Sequence, residues 1–289
     1  MEKARKLFLL SLALMLVVGV LGLAGCTTDT DDDATDETTE ADTGITSTDD
    51  LGDGDKVGVQ SGTTGEMWAT ENLEPNGVEV VPYDDILAAF SALQAGDVVG
   101  IINDLPISQD IAKDETRKIE IVEEIITDEA YGFAYNQDSD VLREAMNWAL
   151  AEVIADGQYE TIYETWLGAP PMSLPEGSGA TEPDMAAIVT LTEGTIIVGS
   201  DTAYPPFEFV EGGETVGFDV DIVKACAEKL GLEVDFLTYK FDALITDMQA
   251  GTSFDMVASA MTITEDRAES VDFSDPYINS NQSLAVSAE

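Results

Sequence analysis

Along the chain, apolar positions fall into one long run and then into an alternation of two periods. The long run covers residues 7–23, close to the lower length limit of a membrane span. Beyond a polar stretch, short strand-like runs alternate with segments of helical period. Strands are expected at Lys56–Gln60, Val78–Val81, Val98–Ile102, Ile119–Ile126, Tyr131–Tyr135 and Phe254–Ser259. A helix should start near Glu66, after the turn Gly62-Thr63-Thr64-Gly65, and Asp84 or Asp85 should cap another that runs through Leu93 and stops at Gly96. Val141, Leu142, Ala145, Met146, Ala149, Leu150, Val153 and Ile154 line one face of a further helix. Two stretches echo each other, "YDDILAAFSALQAGDVVGIIND" and "FDALITDMQAGTSFDMVASA", each with an Asp-capped helix, a Gln-Ala-Gly stop and a buried strand. Two similar α/β lobes are therefore expected, facing each other across a cleft lined by strand C-termini and helix N-termini.

Charge adds a second constraint. Lys+Arg is 12 against Asp+Glu 58 in 289 residues, a formal net charge of −46. Phosphates would be repelled along most of such a surface, which excludes nucleic acid as a partner. With 44% hydrophobic residues the chain still has an ordinary globular core, so the acids must coat a folded body. There is no histidine, and no Ser- or Cys-centred triad, metal cluster or cofactor motif stands out. Residues 27–55 hold no Arg and no Lys and read as a solvated tether that changes character from Ile45. Cys226 lies inside an apolar-periodic helix and reads as a small core residue, so no disulfide is expected.

Candidate chemistry gathers around Arg267. Thr264 is placed to cap a helix that Arg267 enters within its first turn, and a guanidinium at a helix N-terminus can receive a carboxylate; a surface ion pair is the plainer alternative. Asp104, at the C-terminal end of a strand, stands either where α/β sheets place ligand groups or as a helix cap ahead of Pro106.

The wording around these residues carries a resemblance. "TITEDR" followed by "VDFSDPY", and "ITSTDDLGDGDKVGVQSGTTGE" with its "DLxGxxVGVQxGTT" pattern, resemble the amino-acid-binding proteins of ABC importers, family 3 of the bacterial extracellular solute-binding proteins. "YGFAYN" resembles the family's return crossover, "DGQYETIYETWLG" its closing helix, and residues 194–237 its opening lobe. The family's second lobe thus precedes its first. The resemblance implies a type II periplasmic-binding-protein fold, circularly permuted, with a fragment of a tandem array as the alternative. "LAGC" resembles a lipobox that leaves Cys26 lipidated, against a transmembrane reading of the same run. The implied organisation is a lipoprotein signal peptide at 1–25, an acidic tether at 26–44, the second lobe at 45–131, a crossover strand and closing helices at 132–168, a linker joining the old termini at 169–190, and the main part of the first lobe at 191–289.

By the same resemblance, Arg267 would clamp a ligand's α-carboxylate, helped by Thr262 and by backbone N–H groups of the Gly62–Thr64 turn. Asp104 and the backbone of Ala260 would hold the α-ammonium; Tyr204 and Phe241 would wall the side chain, or else be core aromatics. Asp201 favours a donor-bearing side chain: the cation of lysine or arginine, or the amide of glutamine. The implied protein is a monomer, tethered by lipid to the outer face of the cell membrane, that closes about one hinge crossover near Tyr131–Asn136 and delivers its ligand to ABC permease subunits. A dehydratase-like enzyme on the same scaffold and a sensor domain are the competing classes. So dense a surface charge self-repels in dilute buffer and is screened at high ionic strength. Unfolding free energy, measured by denaturant titration, is therefore expected to rise from low to molar salt; a flat profile would exclude salt adaptation.

Overall fold

The computed structural model describes residues 44–177 and 179–288, so the leader, Cys26 and nearly all of the tether lie outside the described residues. The first half of the chain carries β1 (Lys56–Gln60), α1 (Thr64–Asn72), β2 (Glu79–Tyr83), α2 (Ile86–Ala95), β3 (Gly100–Asp104), α3 (Leu105–Ala112), β4 (Ile119–Tyr131), β5 (Ala134–Tyr135), α4 (Asp140–Ala155) and α5 (Gln158–Leu167). The second half adds β6 (Thr195–Ser200), β7 (Ala203–Tyr204), β8 (Glu208–Glu211), β9 (Glu214–Val216), α6 (Phe218–Leu230), β10 (Glu233–Thr238) and α7 (Phe241–Ala250). It ends with β11 (Met256–Val257), α8 (Glu265–Ala268), β12 (Asp272–Phe273) and β13 (Ile278–Ser287). Of the two possible caps, Asp85 takes the role: its carboxylate accepts from the Ala88 N–H at 2.8 Å, and Gly96 closes α2 in the left-handed region.

Two five-stranded sheets repeat one topology, β2-β1-β3-β13-β4 and β10-β6-β11-β5-β12. In each, the first three strands named are parallel and the fourth is antiparallel to its neighbours. That fourth strand comes from the other half of the chain. β5 follows the N-terminal sheet in sequence but pairs in the C-terminal one, while β13 does the reverse. Two expectations change as a result. Residues 278–287 belong with β3 and β4 rather than with the main part of the first lobe, and the halves are joined by two crossovers, 131–134 and 273–278, where sequence suggested one. In addition, the two strands expected within 119–135 are one long strand, β4, and a two-residue β5, because pairing along all of β13 keeps residues 119–131 extended.

The crossovers run side by side and bond to each other. Tyr277 donates its N–H to Tyr131 O at 2.9 Å, and Ser274 to Phe133 O at 2.8 Å. Buried aromatics fill the space around them: Phe133 stacks on Tyr277 with centroids 4.4 Å apart, and Tyr131 meets Phe207 edge-on at 5.5 Å. Such rings contribute both apolar area and directional packing. α4 and α5 lie against α6, and Trp166 of α5 donates to Asp221 at 2.8 Å, so the helices ahead of the 169–190 segment pack on the sheet that follows it.

Gly217 makes this arrangement possible before α6. It adopts φ +139°, and a Cβ there would lie 2.0 Å from Phe207 O, a backbone atom that cannot rotate away. Gly217→Ala is expected to destabilise the protein by at least about 2 kcal/mol in denaturant titration.

Candidate functional site

The carboxyl ends of the parallel strands of both sheets converge, as open α/β sheets place their ligand groups. Asp104 ends β3, Gln60 ends β1, Asp201 follows β6, and Ala260 and Thr262 follow β11. Cross-sheet bonds hold these ends together.

Arg267 sits in α8, a single turn whose cap is Thr264; the Thr264 hydroxyl accepts from the Arg267 N–H at 3.2 Å. The side chain is buried, which removes the surface-ion-pair alternative. Nη1 donates to Thr262 O at 2.7 Å and Nη2 to Gly62 O at 3.0 Å, and the guanidinium carbon lies 5.4 Å from the centroid of the Phe241 ring. Phe241 therefore borders the cation. The Gly62 turn accepts from Arg267 through its carbonyl, while the Gly62 N–H, one of the groups expected to face a ligand carboxylate, is donated to Glu66 at 2.6 Å. Burial pulls the guanidinium below its ordinary range, and the carboxyls of Asp104 and Glu129 act against that pull.

Asp104 is buried and makes no side-chain cap to α3, so the cap alternative falls away. It accepts from the Tyr131 hydroxyl and from Gln282 Nε2. Burial pushes its carboxyl up to about 7, assisted by the nearby Glu129 and opposed by the bonds from Tyr131 and Gln282. Asp201 is raised to about 6 by burial, with the 2.5 Å bond from Gln60 Nε2 working the other way. Tyr204 is buried and donates to Asn103 Oδ1 at 3.1 Å, which aims the ring at the end of β3. Ala260 stands in the left-handed region at φ +43°, unusual for a residue with a side chain, and its N–H donates to Asp219 at 2.9 Å.

Sequence reasoning missed Glu129, Gln282 and Tyr131. Glu129 takes the hydroxyls of Thr64 at 2.7 Å and Thr262 at 2.6 Å on one oxygen, and Gln282 Nε2 at 2.8 Å on the other. It thereby bridges the two halves through the very hydroxyls expected to face a ligand. Gln282 is a fully buried amide inside β13, but it stands in an unbroken polar run, residues 279–283, so nothing in the sequence distinguished it. Of the predicted residues, Arg267, Asp104, Asp201, Thr262, Tyr204 and Ala260 are buried near the strand ends, Thr64 and Phe241 are half-buried beside them, and Gly62 is exposed. Among the described residues no group of His, Cys, Asp and Glu is arranged to hold a metal, and no helix is long and apolar enough to cross a membrane.

Residues 196–289 match the family of bacterial extracellular solute-binding proteins, family 3. The arginine-binding extracellular protein ArtP of Bacillus subtilis is 42% identical over 89 residues, 31% of this chain and 34% of that protein. The chain spans about a third of the length of the curated relatives it matches. A solved ancestral arginine-binding protein bound to arginine is 48% identical over 30% of this chain and 38% of its own, with a TM-score of 0.29. An ancestral cyclohexadienyl dehydratase is 38% identical over 29% and 35%, with a TM-score of 0.28.

A carboxyl raised by folding contributes stability below its unfolded value that is lost as pH climbs to its folded one. For Asp104 that window runs from the ordinary carboxyl value of 3.8 to about 7. Asp104→Asn should remove this component, up to about 4 kcal/mol, from the fall in stability across the window. Denaturant titrations of both proteins over the same pH series, in molar salt, check it.

Proposed function

We propose that the chain, whose residues 196–289 match the bacterial extracellular solute-binding proteins of family 3, captures a basic or amide amino acid between its two halves and delivers it to an ABC transporter. One observation carries the reading. A single buried guanidinium, Arg267, and buried carboxyls, Asp104 and Asp201, are brought from both sheets to one place. That is the charge complement of a zwitterion with a further cation or amide on its side chain. Arg267 receives the α-carboxylate and Asp104 the α-ammonium. Tyr204 and Phe241 flank the side chain, whose donor reaches Asp201.

Binding then exchanges partners rather than creating a site from nothing. Arg267 would give up carbonyl bonds for a carboxylate, and the Thr64 and Thr262 hydroxyls would turn from Glu129 to the ligand. The side-by-side crossovers at 131–134 and 273–278 are the covalent joints between the two sheets of the described fold that such a closure has to bend, since the 169–190 segment connects α5 to β6, both packed in the C-terminal half. The inverted order of the lobes belongs to the same reading, and a match confined to residues 196–289 is what a join between old termini would leave. Lipid anchoring at Cys26, extracytoplasmic placement and a monomeric state complete it.

A lyase on this scaffold is the second reading, favoured by Asp104, whose carboxyl at about 7 suits general acid–base work. Turnover of a cyclohexadienyl substrate would select it. Titration calorimetry in molar salt against the twenty amino acids is expected to show saturable binding of a basic or amide ligand. Asp201→Ala should weaken that ligand by at least about 1 kcal/mol. Arg267→Ala should weaken every ligand of the panel by about 2 kcal/mol or more, and unchanged affinities would remove both residues from the site.

A further inference from the structure

Behind the candidate site lies a second set of buried acids that no step above uses. Glu208, in β8, and Asp219, in α6, are both fully buried. Glu208 Oε1 accepts from the Ser259 hydroxyl at 3.0 Å, and Ser259 Oγ accepts from the Asp201 N–H at 3.0 Å. Asp219 Oδ2 accepts from the Ala260 N–H at 2.9 Å and from the Tyr277 hydroxyl at 2.6 Å. The remaining oxygens, Glu208 Oε2 and Asp219 Oδ1, are buried and accept no hydrogen bond from a protein donor. Both acids sit in this one buried cluster, and Asp219 is the strongest of the charges acting on Glu208.

Two carboxylates cannot share a hydrogen bond unless one carries a proton. The charges acting most strongly on Glu208 are those of Asp219, Asp201 and Asp104, all acidic. Burial and that surrounding charge push the Glu208 carboxyl well above its ordinary range. Asp219 is the better anion of the two, since it already receives an N–H and a phenol. Tyr204 and Tyr277, the phenols nearest the pair, are held neutral by the same burial and negative charge.

We propose that Glu208 is a positioning residue that enters the fold as a neutral carboxylic acid and donates its proton to Asp219, the pair fixing Ser259 and Ala260 behind the ligand's ammonium. Ser259 ties Glu208 to the backbone of Asp201, and Asp219 holds the N–H of Ala260 at its left-handed φ. One shared proton thereby shapes the backbone beside both carboxyls of the site. Only the affinity arm of the test rests on the amino-acid reading.

Infrared spectra of the mature chain in molar salt at about pH 8, where surface acids are ionised, should show the carbonyl stretch of a protonated carboxyl. The stretch should persist in Asp104→Asn and vanish in Glu208→Gln. Glu208→Ala should weaken the amino acid found by calorimetry about tenfold or more, and Glu208→Gln, which keeps a neutral donor at that position, should recover most of it. Stability of the wild type should fall as pH rises above the ordinary glutamate value, and Glu208→Gln should lose that component of the slope. Absence of the protonated stretch in wild type, or a Gln variant as impaired as the Ala variant, overturns the proposal. Should no amino acid bind, the infrared and stability arms still decide it, while the reading of the site fails separately. Should Glu208→Gln not fold, the wild-type stretch and its persistence in Asp104→Asn decide alone.

Discussion

Negative charge that has been taken out of water is what this fold is arranged to tolerate. Among the described residues the buried acids include Asp104, Glu129, Asp201, Glu208, Asp219 and Asp255, and Arg267 is the one buried base. Isolated ions in such surroundings would cost several kcal/mol each. The structure answers in different ways. Asp255 is held by the N–H groups of Leu191 and Ile197, at 2.7 and 2.8 Å. Glu129 gathers three threonine hydroxyls and an amide. Asp104 and Asp201 are left with raised carboxyls and few donors, which is the condition in which an arriving cation gains most.

Asp104 and Glu129 are linked because the sheets exchange strands. β13 carries Gln282 into the N-terminal sheet, where its amide reaches both Asp104 and Glu129. β4 carries Tyr131 to the first crossover, where its hydroxyl meets Asp104. Core and site thus share residues: Tyr131 belongs at once to the aromatic packing around the crossovers and to the carboxyl patch. A rearrangement at the hinge is felt directly by the groups at the strand ends.

Local signals in the chain were reliable where one residue type serves one purpose. Asp85, Gly96, Thr264 and the helical period of α4 did what their positions implied. The repeated motif of helix, Gln-Ala-Gly and strand announced two sheets of one topology, but its Asp cap holds only for α2: α7 starts after Lys240, which makes no side-chain cap, and Asp242 lies inside the helix. Partners far apart in sequence were less legible. That β13 leaves the sheet preceding it is a matter of pairing with β3 and β4, which alternation along one strand cannot express. Glu129 was hidden for a related reason: one acid among 58 carries no distinction until its burial is known. The left-handed Ala260 had no signal, since alanine has no preference for that conformation and only Asp219 explains it.

The exchange of strands also bears on the order in which the protein can be completed. β3 and β4 are not neighbours; β13 lies between them and bonds to both, and it is the last of the described strands to be synthesised. Until it arrives, the earlier-made sheet has a gap between β3 and β4 with two unpaired edges facing it. A chain emerging from a ribosome or a translocon can therefore pair β1 with β2 and β3 early, but must hold β4 apart, and the half of the molecule made first is among the last to be finished.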